Sequence, residues 1–290
     1  MAKKALNKLI KLLDLEHLEE NLFRGQSENI GGPRVFGGQV IGQALTAAVR
    51  TVPSKRFVHS LHAYFLRPGD MEYPIIYDVE RTRDGGSFTT RRVVAIQKGE
   101  PIFDMALSFH KKEKGPSHQI DMIDIPGPEE CISELEVKKK MIDKVPLKYR
   151  DFFLRERPIE IRNLPGDGMF EEPKKKPPHK HVWMKAVGKI PDDVVQHQAI
   201  LAYASDMGLL STSMNPHRLS FAKGNVMSAS LDHAMWFHRP FRADEWMLYS
   251  TDSPSASNAR GFNRGSVYTE DGVLVASAVQ EGLMLSLIHI

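Results

Sequence analysis

Asp206 is the side chain whose surroundings most favour chemistry. It lies in the segment Ala202-Tyr-Ala-Ser-Asp-Met-Gly-Leu-Leu210, which carries no other charge and whose composition predicts a buried helix. An unpaired buried carboxylate is costly, so Asp206 is expected either to have a function or to be hydrogen-bonded to a neighbouring strand. If it is functional, its carboxylate could accept a proton as a general base.

Ser230 is a second polar candidate, and it lies close in sequence to Asp232 and His233. The three residue types could form a hydrolytic triad, but side chains alternate between the two faces of a strand. Ser230 and Asp232 would then share one face and His233 the other. No Gly-x-Ser-x-Gly turn is present either. We therefore expect no local triad, and Asp232 and His233 are expected to be structural or to line a ligand channel.

Gln280 is a third candidate, in the last predicted strand. Its amide could orient a water molecule or donate a hydrogen bond to a developing oxyanion, or it could satisfy a strand neighbour. The sequence contains no His-Glu-x-x-His motif and no Gly-x-x-x-x-Gly-Lys-[Ser/Thr] loop, so no metal and no cofactor are expected.

Two weakly charged helices, over 34–50 and 195–210, must position these groups. Short strands with tight turns follow each of them, at 58–110 and 227–285, which predicts two antiparallel sheets. A helix with so little charge belongs inside a protein, so each sheet is expected to wrap round one helix. An amphipathic surface helix is also predicted over residues 3–22.

The order of elements repeats along the chain. The Arg-Pro pairs at 67–68 and 239–240 are 172 positions apart, and the turn glycines Gly99 and Gly272 are 173 apart. The sequence therefore predicts an α+β fold of the double hotdog type, with two antiparallel sheets each wrapped round a central helix. The expected units are an N-terminal repeat (1–112), a connector (113–180) with a short helix and a basic, proline-rich loop at 172–181, and a C-terminal repeat (181–290). Two unrelated α+β domains are the alternative.

The composition narrows the function classes. The chain is 41% hydrophobic and 26% charged, as is ordinary for a globular protein, and its net charge of +3 is too small to indicate nucleic-acid binding. No run of 18 apolar residues occurs, so no membrane insertion is expected. The single cysteine, Cys131, cannot form an intrachain disulfide. With no secretion signal and no C-terminal Ser-Lys-Leu, the expected location is the cytoplasm.

Four motifs together resemble the acyl-CoA thioesterase II family. They are Val35-Phe-Gly-Gly-Gln-Val-Ile-Gly-Gln-Ala-Leu45, His59-Ser-Leu-His-Ala-Tyr-Phe-Leu-Arg-Pro-Gly-Asp70, Leu231-Asp-His-Ala-Met-Trp-Phe-His-Arg-Pro-Phe241 and Asp271-Gly-Val-Leu-Val-Ala-Ser-Ala-Val-Gln-Glu-Gly282. The resemblance weakens in the connector. It implies a double hotdog that hydrolyses fatty acyl-CoA, of medium to long chain and broad range, to fatty acid and CoA. It also implies that Asp206, Ser230 and Gln280 together hold the attacking water; the family has Ser or Thr at the position of Ser230.

Further residues are candidates for substrate binding or for an oxyanion hole. Backbone N–H groups at the start of the helix after Gly37-Gly38 could hold the thioester carbonyl, and nearby Arg or Lys could meet the CoA phosphates. The candidates are Gly37, Gly38, Gln39, His59, Arg67, Asp232, His233 and Arg264.

Fatty acyl-CoA is the expected partner, and exposed hotdog sheet edges favour a homodimer or homotetramer. Two alternative functions stay open. A hotdog enoyl-CoA hydratase usually has a His a few residues after its Asp, and residues 207–212 contain none. A non-catalytic acyl-CoA-binding module would carry the buried polar groups without using them.

Overall fold

The computed structural model describes residues 2–167 and 174–287. The helices are α1 (Ala2–Leu13), α2 (Gly37–Val49), α3 (Glu134–Lys140), α4 (Leu147–Phe153) and α5 (Val194–Ser205). The strands are β1 (Glu16–Glu19), β2 (Leu22–Gly25), β3 (Phe57–Phe65), β4 (Ile75–Asp84), β5 (Phe88–Gln97), β6 (Glu100–His110), β7 (Ile132–Ser133), β8 (Ile159–Asn163), β9 (His179–Ala186), β10 (Val226–Ser230), β11 (Asp232–Phe237), β12 (Met247–Ser257), β13 (Arg260–Thr269) and β14 (Leu274–Ser286). Among the described helices, none is long and apolar enough to cross a membrane.

The strands of the described residues form one antiparallel sheet. Their order is β1-β2-β4-β5-β6-β3-β11-β14-β13-β12-β9-β8-β7, and β10 also pairs with β14. The N-terminal order β2-β4-β5-β6-β3 recurs in the C-terminal half as β9-β12-β13-β14-β11. Since α2 follows β2 and α5 follows β9, the two halves share one connectivity. The structure thus contains the duplication that the sequence predicts.

The two half-sheets are hydrogen-bonded to each other through β3 and β11. In this pairing His62 lies opposite Ala234, and these positions differ by 172, the offset of the two Arg-Pro pairs. Such pairing of equivalent residues is what a twofold relation between the halves produces. The outer edges are β1 and β7, with only 4 and 2 residues. Strands this short are poor templates for pairing with another chain.

Helices α2 and α5 pack against each other within one core that includes residues of both halves. A Cβ at Gly38 would lie 2.2 Å from the Tyr203 carbonyl oxygen, and one at Gly42 would lie 3.0 Å from that of Ala199. Glycines one helical turn apart therefore allow this close approach. Because 38 meets 203 and 42 meets 199, the helices run antiparallel, and the N-terminus of α2 meets the C-terminus of α5.

Helix α1 is shorter than the predicted helix over 3–22. It ends at Leu13, and the β1–β2 hairpin follows and pairs with β4. The buried leucines Leu6, Leu9 and Leu13 belong to the core. Beyond them, pairing with the sheet overrides the local helical pattern.

The connector contains more structure than expected. Strands β7 and β8 pair with each other, and β8 pairs with β9, so they extend the C-terminal half-sheet. Strand β9 begins at His179, inside the predicted basic loop 172–181, whose residues 172 and 173 lie outside the described ranges. The Gln119 side chain bonds to Gly272 O at 2.9 Å and to Leu274 N at 3.0 Å, which holds the connector on the C-terminal half.

Candidate functional site

A cavity of about 780 Å³ opens where the two halves meet. It is lined by the first turn of α2, the residues that follow β3, the residues after α5, and the strands β10 and β14. Most of the lining side chains are apolar, but Asp206, Ser230 and Gln280 lie among them. The cavity therefore brings together the three predicted catalytic residues from three separate elements.

Asp206 follows α5 directly, and its carboxylate reaches the N-terminus of α2. Its Oδ2 accepts a hydrogen bond from Gly38 N at 2.9 Å, and its Oδ1 accepts one from Gln280 Nε2 at 2.7 Å. The N-cap residue of α2, Phe36, provides no side-chain cap, so a carboxylate from the other half of the chain caps this helix. Burial raises the pKa of Asp206 to about 6, against the lowering effect of these two hydrogen bonds. Asp206 is thus a buried carboxyl group with a pKa well above the ordinary value for an aspartate.

Gln280 and Ser230 add further polar side chains to the lining of the same cavity. The Gln280 side chain is 1% exposed, and its Oε1 has no partner among the described residues. Ser230 ends β10, is half-buried and lines the cavity. A small molecule with two donors and an acceptor, such as water, could satisfy these groups.

A bulge near Leu231 changes the predicted relation between Ser230 and His233. The register with β14 moves by one residue between the pairs Ser230–Gly282 and Ala234–Val279, so β10 and β11 are two strands rather than one. The strict alternation that we expected is therefore wrong at this point, and both Ser230 and His233 lie on the interior side. They still form no triad, because His233 Nε2 lies 3.0 Å from the hydroxyl of Ser205, which the sequence did not single out.

The first turn of α2 leaves one backbone donor unused. Gly38 N donates to Asp206, while Gln39 N and Val40 N both donate to Phe36 O. Gly37 lines the cavity, and a Cβ there would lie 2.8 Å from Asp206 Oδ2. Its N–H has no partner among the described residues and remains available to a ligand.

Arg67 lies at the cavity, where its Nη1 donates to Pro101 O at 2.7 Å and its Nη2 pairs with Glu100 Oε2 at 3.2 Å. Arg34, which the sequence analysis did not select, is exposed and lines the same cavity. Arg34 lies only three residues before Gly37-Gly38 in the sequence, and this nearness could have identified it. The cavity mouth thus carries two guanidinium groups.

Four other candidates lie outside the cavity lining. Gln39 donates to Gln26 O, His59 Nε2 lies 2.8 Å from Ser108 Oγ, Arg264 pairs with Asp252, and Asp232 accepts from Glu281 N at 2.6 Å. Each of these side chains has a structural partner within the chain. The structure does not bring these four side chains to Asp206.

The donor set at the cavity suits acid–base and hydrogen-bond chemistry. Within residues 2–167 and 174–287, no group of three His, Cys, Asp or Glu side chains could hold a metal ion. A carboxylate with a raised pKa, an amide oxygen, a hydroxyl and a backbone N–H can orient and deprotonate a water molecule.

Comparisons with known proteins identify the family. Two family models match, one described as an acyl-CoA thioesterase N-terminal domain at residues 24–110 and one as an acyl-CoA thioesterase at residues 149–283. Acyl-CoA thioesterase 2 of Haemophilus influenzae is 41% identical over 283 residues, which cover 96% of this chain and 97% of the relative. The chain belongs to the acyl-CoA thioesterase II family. This thioesterase is also similar to the acyl-CoA thioesterase II TesB2 of Mycobacterium marinum, with a TM-score of 0.78 and 42% identity over 96% of this chain and 97% of that one.

The comparisons also settle the fold of the thioesterase. A conserved hot dog protein from Alicyclobacillus acidocaldarius has a TM-score of 0.76 at 18% identity and covers 96% of this chain and 98% of its own, a likeness that concerns the fold alone. The predicted double hotdog is confirmed, as are the family resemblance and the class of acyl-CoA hydrolase.

Proposed function

We propose that this thioesterase hydrolyses fatty acyl-CoA by direct attack of a water molecule, with Asp206 as general base and Ser230 and Gln280 as the groups that orient the water. The observation that carries the proposal is the Asp206 carboxylate, held by Gly38 N and Gln280 Nε2 at an apolar cavity. Each carboxylate oxygen keeps a lone pair, so one of them accepts a proton of the water. A base with a pKa of about 6 is ionised at neutral pH and matched to proton transfer there.

The reaction proceeds in two stages without a covalent enzyme intermediate. The water oxygen attacks the thioester carbon while its proton passes to Asp206, which leaves a tetrahedral oxyanion. The oxyanion then collapses and the carbon–sulfur bond breaks. Asp206 returns its proton to the departing thiolate, a step that is favourable because the pKa of an ordinary thiol, about 8.5, exceeds that of this carboxyl group. The products are the fatty acid and CoA.

Gly37 N–H is the backbone donor that we assign to the oxyanion. It is the unused N–H in the first turn of α2, where the helix dipole also favours negative charge. Gly38 N–H serves the base instead. The two glycines that the sequence grouped together thus have different tasks in this proposal.

The cavity supports a substrate with an apolar chain and an anionic head. In this proposal the apolar lining receives the acyl chain, and Arg34 and Arg67, which also line the cavity, bind the phosphates of CoA. We propose medium to long chains over a broad range, and a series of acyl-CoA substrates of increasing length tests this.

Release of free thiol from palmitoyl-CoA tests the activity itself. The wild-type chain should release CoA, and Asp206→Asn should lower kcat by about 10²–10⁴-fold, the usual contribution of a general base. Asp252→Asn, at a surface aspartate paired with Arg264, is the matched control and should retain wild-type turnover. In H₂¹⁸O, the label should enter the fatty acid, with no acyl group trapped on Ser230.

Other outcomes would favour the alternatives. Near-full turnover by Asp206→Asn would refute the assignment of the base, and a stable Ser230 adduct would indicate a nucleophilic serine. Hydration of an enoyl-CoA without thiol release would favour a hydratase, and binding without any reaction would favour a binding module.

Location and assembly belong to the same proposal. We propose the cytoplasm as the location, because the single cysteine, Cys131, is free and free thiols persist in a reducing compartment. A homodimer or homotetramer remains part of the proposal, and sedimentation of the purified protein measures it.

A further inference from the structure

His233 is a buried neighbour of Gln280. Its side chain is 0% exposed, its Nε2 lies 3.0 Å from Ser205 Oγ, and its Nδ1 lies 3.4 Å from Gln280 Nε2. Burial lowers the pKa of His233 to about 4, so the ring is neutral at neutral pH. A neutral imidazole has one N–H donor and one lone-pair acceptor, and its neighbours decide which nitrogen is which.

Ser205 decides the tautomer of His233. The Ser205 hydroxyl lies 2.9 Å from Ala202 O and 3.0 Å from His233 Nε2. Because a carbonyl oxygen can only accept, both contacts are hydrogen bonds only if Ser205 donates its single proton to Ala202 O and accepts from the imidazole. His233 therefore carries its proton on Nε2. The lone pair on Nδ1 is then directed at the Gln280 amide. Because this lone pair accepts a hydrogen bond, the amide must turn its NH₂ group, the donor, toward it.

The Gln280 amide thus has a defined orientation. One hydrogen of Nε2 is donated to Asp206 Oδ1 at 2.7 Å and the other is directed at His233 Nδ1. The oxygen Oε1 is buried and has no partner among the described residues, and Gln280 is one of the residues that line the cavity. We propose that Ser205 and His233 are positioning residues that hold the Gln280 amide with its nitrogen on Asp206 and its oxygen toward the attacking water. This inference rests on the proposed hydrolysis.

The positioning matters most after Asp206 has taken the proton. While Asp206 is ionised, its own charge keeps the amide nitrogen against it. Once protonated, the carboxyl group could donate to Gln280 Oε1 if the amide flipped, and the proton would then be withheld from the leaving thiolate. His233 opposes that flip, because the lone pair on its Nδ1 would then face the oxygen Oε1, and two acceptors repel each other. His233 therefore keeps the proton of Asp206 available for the second stage.

Ser205→Ala and His233→Asn test the inference with little loss of packing. Ser205→Ala leaves the imidazole in place but removes the acceptor that fixes its tautomer, and we expect a fall in kcat of about tenfold or more with an unchanged KM, since orientation alone is altered. His233→Asn retains an acceptor near the position of Nδ1 and should keep more activity than His233→Leu, which has none.

His197→Leu is the matched control for His233→Leu. His197 is also a buried histidine, and its Nδ1 accepts from Ala243 N at 2.9 Å, but it lies in the first turn of α5, at the opposite end from Asp206. Its replacement should lower the melting temperature without lowering kcat in the folded protein. Side-chain ¹⁵N spectra should give the Nε2–H tautomer for His233 in the wild type and a mixture in Ser205→Ala.

The outcomes separate this inference from the proposed function. If the wild type is active, Asp206→Asn is inactive, and Ser205→Ala and His233→Leu keep wild-type kcat, the positioning role is refuted and the hydrolysis stands. An Nδ1–H tautomer in the wild type would refute the positioning role without any assay. A wild type that releases no CoA would overturn both.

Discussion

Asp206 must satisfy two opposing requirements. As the proposed general base, it has to be buried enough to act at an apolar thioester, yet ionised enough to accept a proton. Burial raises its pKa to about 6, and the hydrogen bonds from Gln280 and Gly38 limit the rise. The same two contacts therefore position the carboxylate and adjust its proton affinity.

The pH dependence of hydrolysis follows from this pKa. We expect kcat/KM to fall about tenfold per pH unit below pH 6, because protonated Asp206 cannot act as a base. Rates of thiol release between pH 4.5 and 8 with a single acyl-CoA measure this limb. A profile that stays flat down to pH 4.5 would be inconsistent with Asp206 as the base.

The stability of the folded protein should also depend on the protonation of Asp206. Stability favours the protonated carboxyl group, whereas the proposed catalysis requires the ionised one. The pKa of Asp206 is raised from 3.8 to about 6, so folding favours its protonated form. Its contribution to the free energy of unfolding is fully present below about pH 4 and is lost as the pH rises through 6, an amount of about 3 kcal/mol. Urea unfolding at a series of pH values over this range measures the effect. The free energy of unfolding of the wild type should fall more steeply with rising pH than that of Asp206→Ala.

Single residues differ in how far the sequence could predict them. Asp206 was identifiable because a lone charge in an apolar helix requires a reason. Ser205 was not, since a serine in a helix has no distinctive pattern, and its importance comes from a contact with a residue 28 positions away. The unused N–H of Gly37 could be found only by following every hydrogen bond of the first helical turn.

At the scale of elements, the close contact of α2 with α5 determines the site. It brings the start of one helix within hydrogen-bonding distance of the residue that ends the other. The composition of both helices predicted their burial, and the duplication predicted their similarity. Their antiparallel contact through Gly38 and Gly42 could not be predicted, because it depends on how the two half-sheets join.

Gly38→Ala should separate this helix pair. The added Cβ would lie 2.2 Å from the Tyr203 carbonyl oxygen, a backbone atom that cannot move alone. We expect a loss of about 1–3 kcal/mol in the free energy of unfolding, as for other overpacked sites, and a fall in kcat because Gly38 N moves away from Asp206. Thermal unfolding and thiol release measure the two effects.

Gly86→Ala is the control for this substitution. A Cβ at Gly86 has no described atom within 4 Å, so this variant should match the wild type in both measurements. Equal melting temperatures for Gly38→Ala and the wild type would contradict the close helix contact.

The strands show where sequence patterns lose accuracy. The antiparallel order within each half followed from short strands and tight turns, but the bulge between β10 and β11 reversed the predicted side of His233. A bulge inserts one residue without any marked change in composition, so alternation alone cannot reveal it. The end of α1 at Leu13 is a similar case, because the hairpin that follows forms by pairing with β4.

At the scale of the whole molecule, neither half contains all the residues of the proposed site. The C-terminal half supplies Asp206, Ser230 and Gln280, while the N-terminal half supplies Gly37 and Gly38 and part of the cavity wall. The halves are joined through the β3–β11 pairing and through a core with members from both. In the proposed mechanism the duplication therefore has a functional consequence, since the two halves make different contributions to one reaction.

Splitting the chain tests this division of labour. No helix or strand lies between His110 and Pro128, and a Cβ at Gly115 has no described atom within 4 Å, so a break after residue 114 disturbs no packed element. The fragment 115–290 keeps all three catalytic candidates but lacks the α2 N-terminus, and the fragment 1–114 lacks the base. We expect each fragment alone to be inactive and poorly soluble, because the apolar faces that form the joint core would be exposed. Co-expression should restore a complex that releases CoA with a kcat close to that of the intact chain, since the contacts between the halves are non-covalent. A fragment 115–290 that hydrolyses acyl-CoA by itself at the wild-type rate would show that α2 is dispensable and would contradict a site shared between the halves.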